Sequence, residues 1–599
     1  MRLPIDVVRR SPCRLTGLST VLAMSLAPTI HAAAPPAWHN AELDPVWQWS
    51  VPAPTIPDRR AFLWVDPACT HVRGIVVGLQ NMLEEPLFER VAFRRACAAN
   101  GLAILMVYSG HDRAAGDERA PAHAPRSYLD IFLNPDFAEG SENAKLAGED
   151  LQRLLDRLAR ESGYPEVARA PLLPVGHSSA GSFVWHLYRW DPGRIFAMLP
   201  YKTGLKSDGP AGIPILDVNS EWFDYGKSTV NVSTKPTDFR AEQAVRAKDP
   251  NALFGMYVDV GAGHCDVSDD SAAVVSLFLK TAVVERIPAE TPDGQPVKLN
   301  PIDVATGWLI APADLGKAGV RPVAYADWKG DPAQALWYAS RELAEAVQDH
   351  MVAQYAKRPQ QLNFVRDDGT VPTTGGTFNF SPKFIDDQGT FRLEARYIDE
   401  LQAPDVYPAG TQLGHGDQPI LYRVNSGCVR QVGPDTFRVV PHPGPLIPQG
   451  NPWEPTLVAY VRGDDRFRPT ERPAHAFVNV VNRSGAAQTI DFPAVPNRSA
   501  DDPSPTRLTA TASSGLPVQY DVISGPVRLG DDGGSLEPAT LPPHLRTPAR
   551  VLVSAFQWGR PSGTKVQSAG PVVRQFWVVR PGDVLPADGA EAPAPPAAR

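Results

Sequence analysis

The sequence predicts an α/β domain followed by β-rich domains, and three observations carry that prediction. Between residues 73 and 287, short apolar runs alternate with amphipathic stretches, the pattern of a mostly parallel sheet with helices on both faces. Beyond residue 360 the apolar runs are short and separated by Gly, Pro, Asp and Asn, as in strands joined by turns. Proline accounts for 62 of 599 residues, about twice the usual share. Its concentration in the later half favours loops and β modules over helical bundles. A chain this long exceeds one ordinary core, so roughly two to four domains are expected.

At the N-terminus, Arg2, Arg9, Arg10 and Arg14 precede the apolar stretch LTGLSTVLAMSLAPTI, and small residues near Ala32 to Ala34 follow. Charged, then apolar, then small is the order of a secretory signal peptide. Residues 1–34 therefore read as an export signal, and the protein as secreted, whether periplasmic or extracellular. No later stretch is long and apolar enough to span a bilayer. The net charge of −8 and the lack of a basic cluster exclude nucleic acid as an expected partner. Cys69, Cys97, Cys265 and Cys428 follow the signal; they permit a bridge or two but form no disulfide framework. No CxxC, HExxH or His-rich spacing points to a metal site.

VWQWSV and RRAFLWVDP, bounded by prolines, read as opening strands, and RGIVVGLQ (73–80) as a buried one. EEPLFERVAFRRACAANG reads as a helix stopped by Gly101, and LAILMVYS as the next buried strand. GEDLQRLLDRLARESG places Leu151, Leu154, Leu155 and Leu158 on one helical face. APLLPVGHS is then a strand, followed by three more in RIFAMLPY, IPILDVNSEWFDYG and LFGMYVDVGAGHCD. SAAVVSLFLKTAVVERI closes the unit as a helix.

PLLPVGHSSAGSFVW (171–185) puts two serines between an apolar strand and a helix-compatible stretch. A serine on a sharp strand-to-helix turn is the nucleophile elbow, whose usual pattern is G-x-S-x-G. Here Gly176-His177-Ser178-Ser179-Ala180-Gly181 has alanine at the last glycine. An acidic turn and a GAGH segment follow on the last two strands. On these motifs, residues 35–295 resemble an α/β-hydrolase of the serine esterase type, whose triad runs serine, acid, histidine along the chain.

The resemblance implies that Ser178 is the nucleophile. A Ser179 register would put the bulky His177 at the first tight position of the turn. His264, after glycines beyond the last strand, is then the general base. PILDVNSEWFDYG offers Asp224 or, alternatively, Glu221 as the orienting acid, while Asp217 falls mid-strand. The oxyanion hole would use the backbone N–H of Ser179 and that of Gln80, with Asn81 as the alternative to Gln80; Gln80 and Asn81 could equally cap the next helix. Trp222 and Phe223 are candidates for a substrate wall. In tannase and fungal-type feruloyl esterases a cysteine before the serine bridges one after the histidine. Here His177 precedes Ser178, so Cys265 reads as a buried thiol or as a partner of another cysteine.

Residues 296–486 read as an accessory helix plus a β-rich domain, with Leu336, Leu343, Val347 and Met351 at helical spacing. Residues 487–582 resemble the Ig-like modules of bacterial surface proteins, through Q-T-I-x-F-P, L-x-A-T-A-S-S-G-L-P-V-x-Y and S-G-P. That implies a C-terminal β-sandwich with RVLVSAFQWG and VVRQFWVV among its last strands. Residues 583–599, rich in Pro and Ala, read as a disordered tail. The expectation is an exported serine hydrolase of carboxylic esters, acting through an acyl-enzyme and needing no metal or organic cofactor. β modules suggest an acylated polysaccharide or a polyester, or else a smaller ester. The rivals are a serine peptidase of the same fold, and an adhesion or glycan-binding protein on an inactive hydrolase scaffold.

Overall fold

The computed structural model describes residues 43–52, 60–80, 83–107, 142–203, 210–221, 245–290, 295–373, 378–400, 410–440, 455–476, 482–542, 544–560 and 564–585. The expected signal peptide and most of the expected tail lie outside these.

Eight strands form the central sheet: β1 (Trp49–Pro52), β2 (Arg60–Trp64), β3 (Gly74–Leu79), β4 (Leu102–Val107), β5 (Leu172–His177), β6 (Leu199–Tyr201), β7 (Pro214–Ser220) and β8 (Leu253–Asp259). Their spatial order is β1-β2-β4-β3-β5-β6-β7-β8. β1, β2 and β4 pair antiparallel, and from β4 to β8 the pairing is parallel. The parallel strands are apolar runs because both faces are covered. In β4, Ala103, Leu105 and Val107 enter one core, while Leu102, Ile104 and Met106 enter the other.

Helices α1 (Glu84–Phe88), α2 (Val91–Ala99), α3 (Glu142–Ser162) and α4 (Gly181–Trp190) lie between these strands, and α5 (Asp269–Arg286) follows β8. α3 buries Leu151, Leu154, Leu155 and Leu158 beside Phe183 and Val184 of α4 in the first core. α2 and α5 bury Phe93, Val275, Phe278 and Leu279 in the second. The expected α/β architecture of the N-terminal part is therefore present.

The later helix starts at Arg341, so Leu336, expected at helical spacing with Leu343, lies outside it. Leu336–Tyr338 forms a short strand, and Ser340 caps the helix by accepting from the Leu343 N–H at 3.1 Å. α6 (Arg341–Tyr355) buries Leu343, Val347 and Met351 against the second core, so it is built onto the sheet. A middle β module follows. One of its sheets orders Phe378–Phe380, Thr470–Ala476, Thr456–Val461 and Leu421–Ser426 side by side. The C-terminal region is also β-rich, with Ala549–Gln557 and Ala569–Val579 paired antiparallel as its longest strands. Its Tyr520, Val551, Val553 and Phe576 belong to the first core. Cys69, Cys97, Cys265 and Cys428 form no disulfide among the described residues, and Cys97, Cys265 and Cys428 are buried. Among the described residues no helix is long and apolar enough to cross a membrane.

Candidate active site

The turn after β5 has the backbone strain an elbow requires. Ser178 has φ of 53°, a left-handed conformation rare outside glycine. Two glycines make the turn possible. A Cβ on Gly176 would lie 2.1 Å from the Ala180 carbonyl oxygen, and one on Gly181 would lie 2.2 Å from Thr203 Oγ1. Thr203 is itself part of the turn, its hydroxyl donating to the Ser178 carbonyl at 2.6 Å. The close approach usually met by the last glycine of G-x-S-x-G thus falls one position later, on Gly181. Ala180 is fully buried with its methyl accommodated.

His264 lies at the same end of the sheet, in the loop after β8. Its ring tilts against that of His177 at 4.7 Å between centroids. Its carbonyl is 2.8 Å from His177 Nε2, and a carbonyl only accepts, so that nitrogen carries the proton. His177 is in turn fixed through its backbone N–H, which donates to Glu84 Oε1 at 2.6 Å. The residue beside Ser178 therefore holds the residue expected as base. Sequence reading gave His177 only a steric part.

Lys202 is a second residue that sequence reading missed. It is fully buried with φ of 50°. Its ammonium donates to the carbonyls of Gly263 at 2.7 Å and Asp266 at 2.6 Å, and pairs with Asp259 at 3.2 Å. Its only sequence signal is a lysine directly after a buried strand.

Two expectations change. The Gln80 N–H donates to the Val107 carbonyl at 2.8 Å, and its side chain accepts from the Glu85 N–H at 2.9 Å. Gln80 thus continues the sheet and caps α1, and its N–H is not available to an oxyanion. Asn81 lies outside the described residues. Glu221 is also committed elsewhere: Oε1 accepts from Arg468 at 2.7 Å and Oε2 from the Gly261 N–H at 2.8 Å. Burial pushes its carboxyl above the ordinary range, against the pull of Arg468. It anchors the loop rather than the imidazole. Asp224, Trp222 and Phe223 lie outside the described residues, and Asp217 is buried within β7 as expected.

No family model matches the chain, and no curated protein sequence matches it. Solved structures match part of it. A poly(3-hydroxybutyrate) depolymerase from Bordetella parapertussis is 16% identical over 40% of this chain and 88% of its own, with a TM-score of 0.27. An S-formylglutathione hydrolase from Agrobacterium tumefaciens is 13% identical over 39% and 93%, with a TM-score of 0.27. A glucuronoyl esterase from Solibacter usitatus is 12% identical over 38% and 78%, with a TM-score of 0.25. The N-terminal part is thus similar to esterases and hydrolases.

Proposed function

We propose that the protein is an exported serine hydrolase of carboxylic esters. The observation that carries this reading is Ser178 at φ of 53° on a strand-to-helix turn, with His264 held against the adjacent His177. Ser178 Oγ attacks the ester carbonyl carbon and its proton passes to the His264 imidazole. That proton then goes to the departing alkoxide as the ester C–O bond breaks. Water deacylates the serine by the same exchange. With Glu221 bound to Arg468, Asp224 is the acid that orients His264. Ser179 supplies one oxyanion N–H, Asn81 the second, and Trp222 and Phe223 line the substrate. The substrate class is an acylated polysaccharide, a polyester or a smaller ester.

The test is hydrolysis of short- and medium-chain p-nitrophenyl esters by the mature protein, alongside Ser178→Ala and Ser179→Ala. Ser178→Ala should lower kcat by at least about 10³-fold, while Ser179→Ala keeps its backbone N–H and most of the rate. An active Ser178→Ala protein would overturn the assignment.

A further inference from the structure

Besides His177 and Lys202, the loop that carries His264 is held from a part of the chain some 160 to 210 residues away. The Gly263 N–H donates to Glu471 Oε1. The Cys265 carbonyl accepts from Asn425 Nδ2 at 2.7 Å. These groups sit on the residues immediately before and after His264. Asp266 accepts from Arg423 Nε at 2.8 Å and from Asn425 at 2.9 Å, and its other oxygen pairs with Arg423 Nη2. Arg423 also reaches Glu471 at 3.5 Å and lies over the Tyr460 ring at 4.1 Å. Arg468 acts one step removed, through Glu221 on the Gly261 N–H. Arg423, Asn425, Arg468 and Glu471 are each less than a tenth exposed.

The glycines before His264 are where this module presses in. Gly261 has φ of 84°, and a Cβ there would lie 2.1 Å from the Pro469 carbonyl oxygen. A Cβ on Gly263 would lie 3.2 Å from Glu471 Oε1. Resting on the reading of His264 as the base, we propose that the middle β module completes the active site. Arg423, Asn425, Arg468 and Glu471 are positioning residues that fix the loop on both sides of His264. Docking alone would be served as well by apolar contacts, since buried ion pairs add little net stability. Directional bonds to Gly263 and Cys265, the residues on either side of the base, help set where its imidazole points, and a misplacement of about 1 Å costs roughly 100-fold in rate.

The experiment uses the full chain. Arg423→Lys keeps the charge and loses the two-pronged pairing, Asn425→Ala loses the Cys265 contact, and Glu471→Ala loses the Gly263 contact. Glu471→Gln keeps an oxygen that can accept from Gly263. Glu342→Gln, at an exposed ion pair with Lys280 away from this loop, is the control. For p-nitrophenyl acetate, the first three variants should lose kcat by about 10- to 100-fold with little change in KM. A fluorophosphonate probe should label Ser178 more slowly in proportion. Glu471→Gln should recover part of the Glu471→Ala loss, and Glu342→Gln should match the parent. Folded variants with parental kcat and labelling, whatever their Tm, would overturn the inference. If one variant fails to fold, Glu471→Gln against Glu471→Ala still decides it. A parent that neither turns over ester nor labels would instead sink the hydrolase reading, and this inference with it.

Discussion

Gly176 shows how one hydrogen in place of a methyl permits the tight turn at Ser178. The two nearest atoms a Cβ would meet there are the Ala180 carbonyl oxygen at 2.1 Å and its carbon at 2.7 Å, ahead of Val184 Cγ2 at 3.0 Å. They are backbone, so no side chain can swing aside. Gly176→Ala should therefore cost about 1–3 kcal/mol of stability and remove most of the ester hydrolysis, because the turn must open to admit it. Ala180→Gly, which restores the usual motif, should cost about 0.5–1 kcal/mol from backbone entropy and leave kcat unchanged. Denaturant titration and esterase kinetics on the two variants check both. A fully active Gly176→Ala protein would show that the turn does not depend on that contact.

The elements framing the His264 loop are tied together by a serine. Ser268 accepts from the Ser271 N–H at 2.9 Å as the N-cap of α5, and donates to Asp259 Oδ1 at 2.5 Å. The end of β8 and the start of α5 thus share one hydroxyl. Ser268→Ala loses the cap and one partner of a buried carboxylate, and should cost about 1–3 kcal/mol in a urea titration. A loss no larger than that of an exposed serine would mean the two elements are not coupled. At this scale the sequence was informative. Buried parallel strands read as apolar runs, and β3, β4 and β5 stand where those runs do. A sharp strand-to-helix turn at Ser178 was legible in the small residues Gly176, Ala180 and Gly181 around it. α6 was read too long at its start, because Leu336 has helical spacing but lies in a strand whose Trp337 and Tyr338 pack in the interior. Periodicity alone does not separate those outcomes.

At the scale of the whole molecule, the contacts that complete the site had no local signal. Arg423 and Asp266 are 157 residues apart, and Arg468 and Glu221 are 247 apart. An isolated arginine in a β run reads as a solvated face until its partner is known. The sheet edge was hidden in the same way. β1 is covered by the C-terminal region: Ser50 Oγ and Ser524 Oγ lie 2.6 Å apart, the Gly525 N–H donates to the Trp47 carbonyl at 2.8 Å, and Arg550 binds the Ser50 carbonyl at 2.9 Å and Glu161 at 3.1 Å. An open edge invites pairing with other chains, and here the chain closes it with its own later strands. The apolar residues agree, because one core joins α3 and α4 to Tyr520, Val551 and Phe576, and the other joins α5 and α6 to Ile523 and Leu552. A region that shares both cores with the eight-stranded sheet is built into it, unlike a tethered spacer. In urea, the loss of activity, tryptophan fluorescence and far-UV circular dichroism should therefore coincide in one transition. Arg550→Ala should move that whole transition by about 1–3 kcal/mol, activity included, although its partners Ser50 and Glu161 are not candidate site residues. An early separate transition in this variant, with activity surviving it, would show that the C-terminal region folds and unfolds on its own.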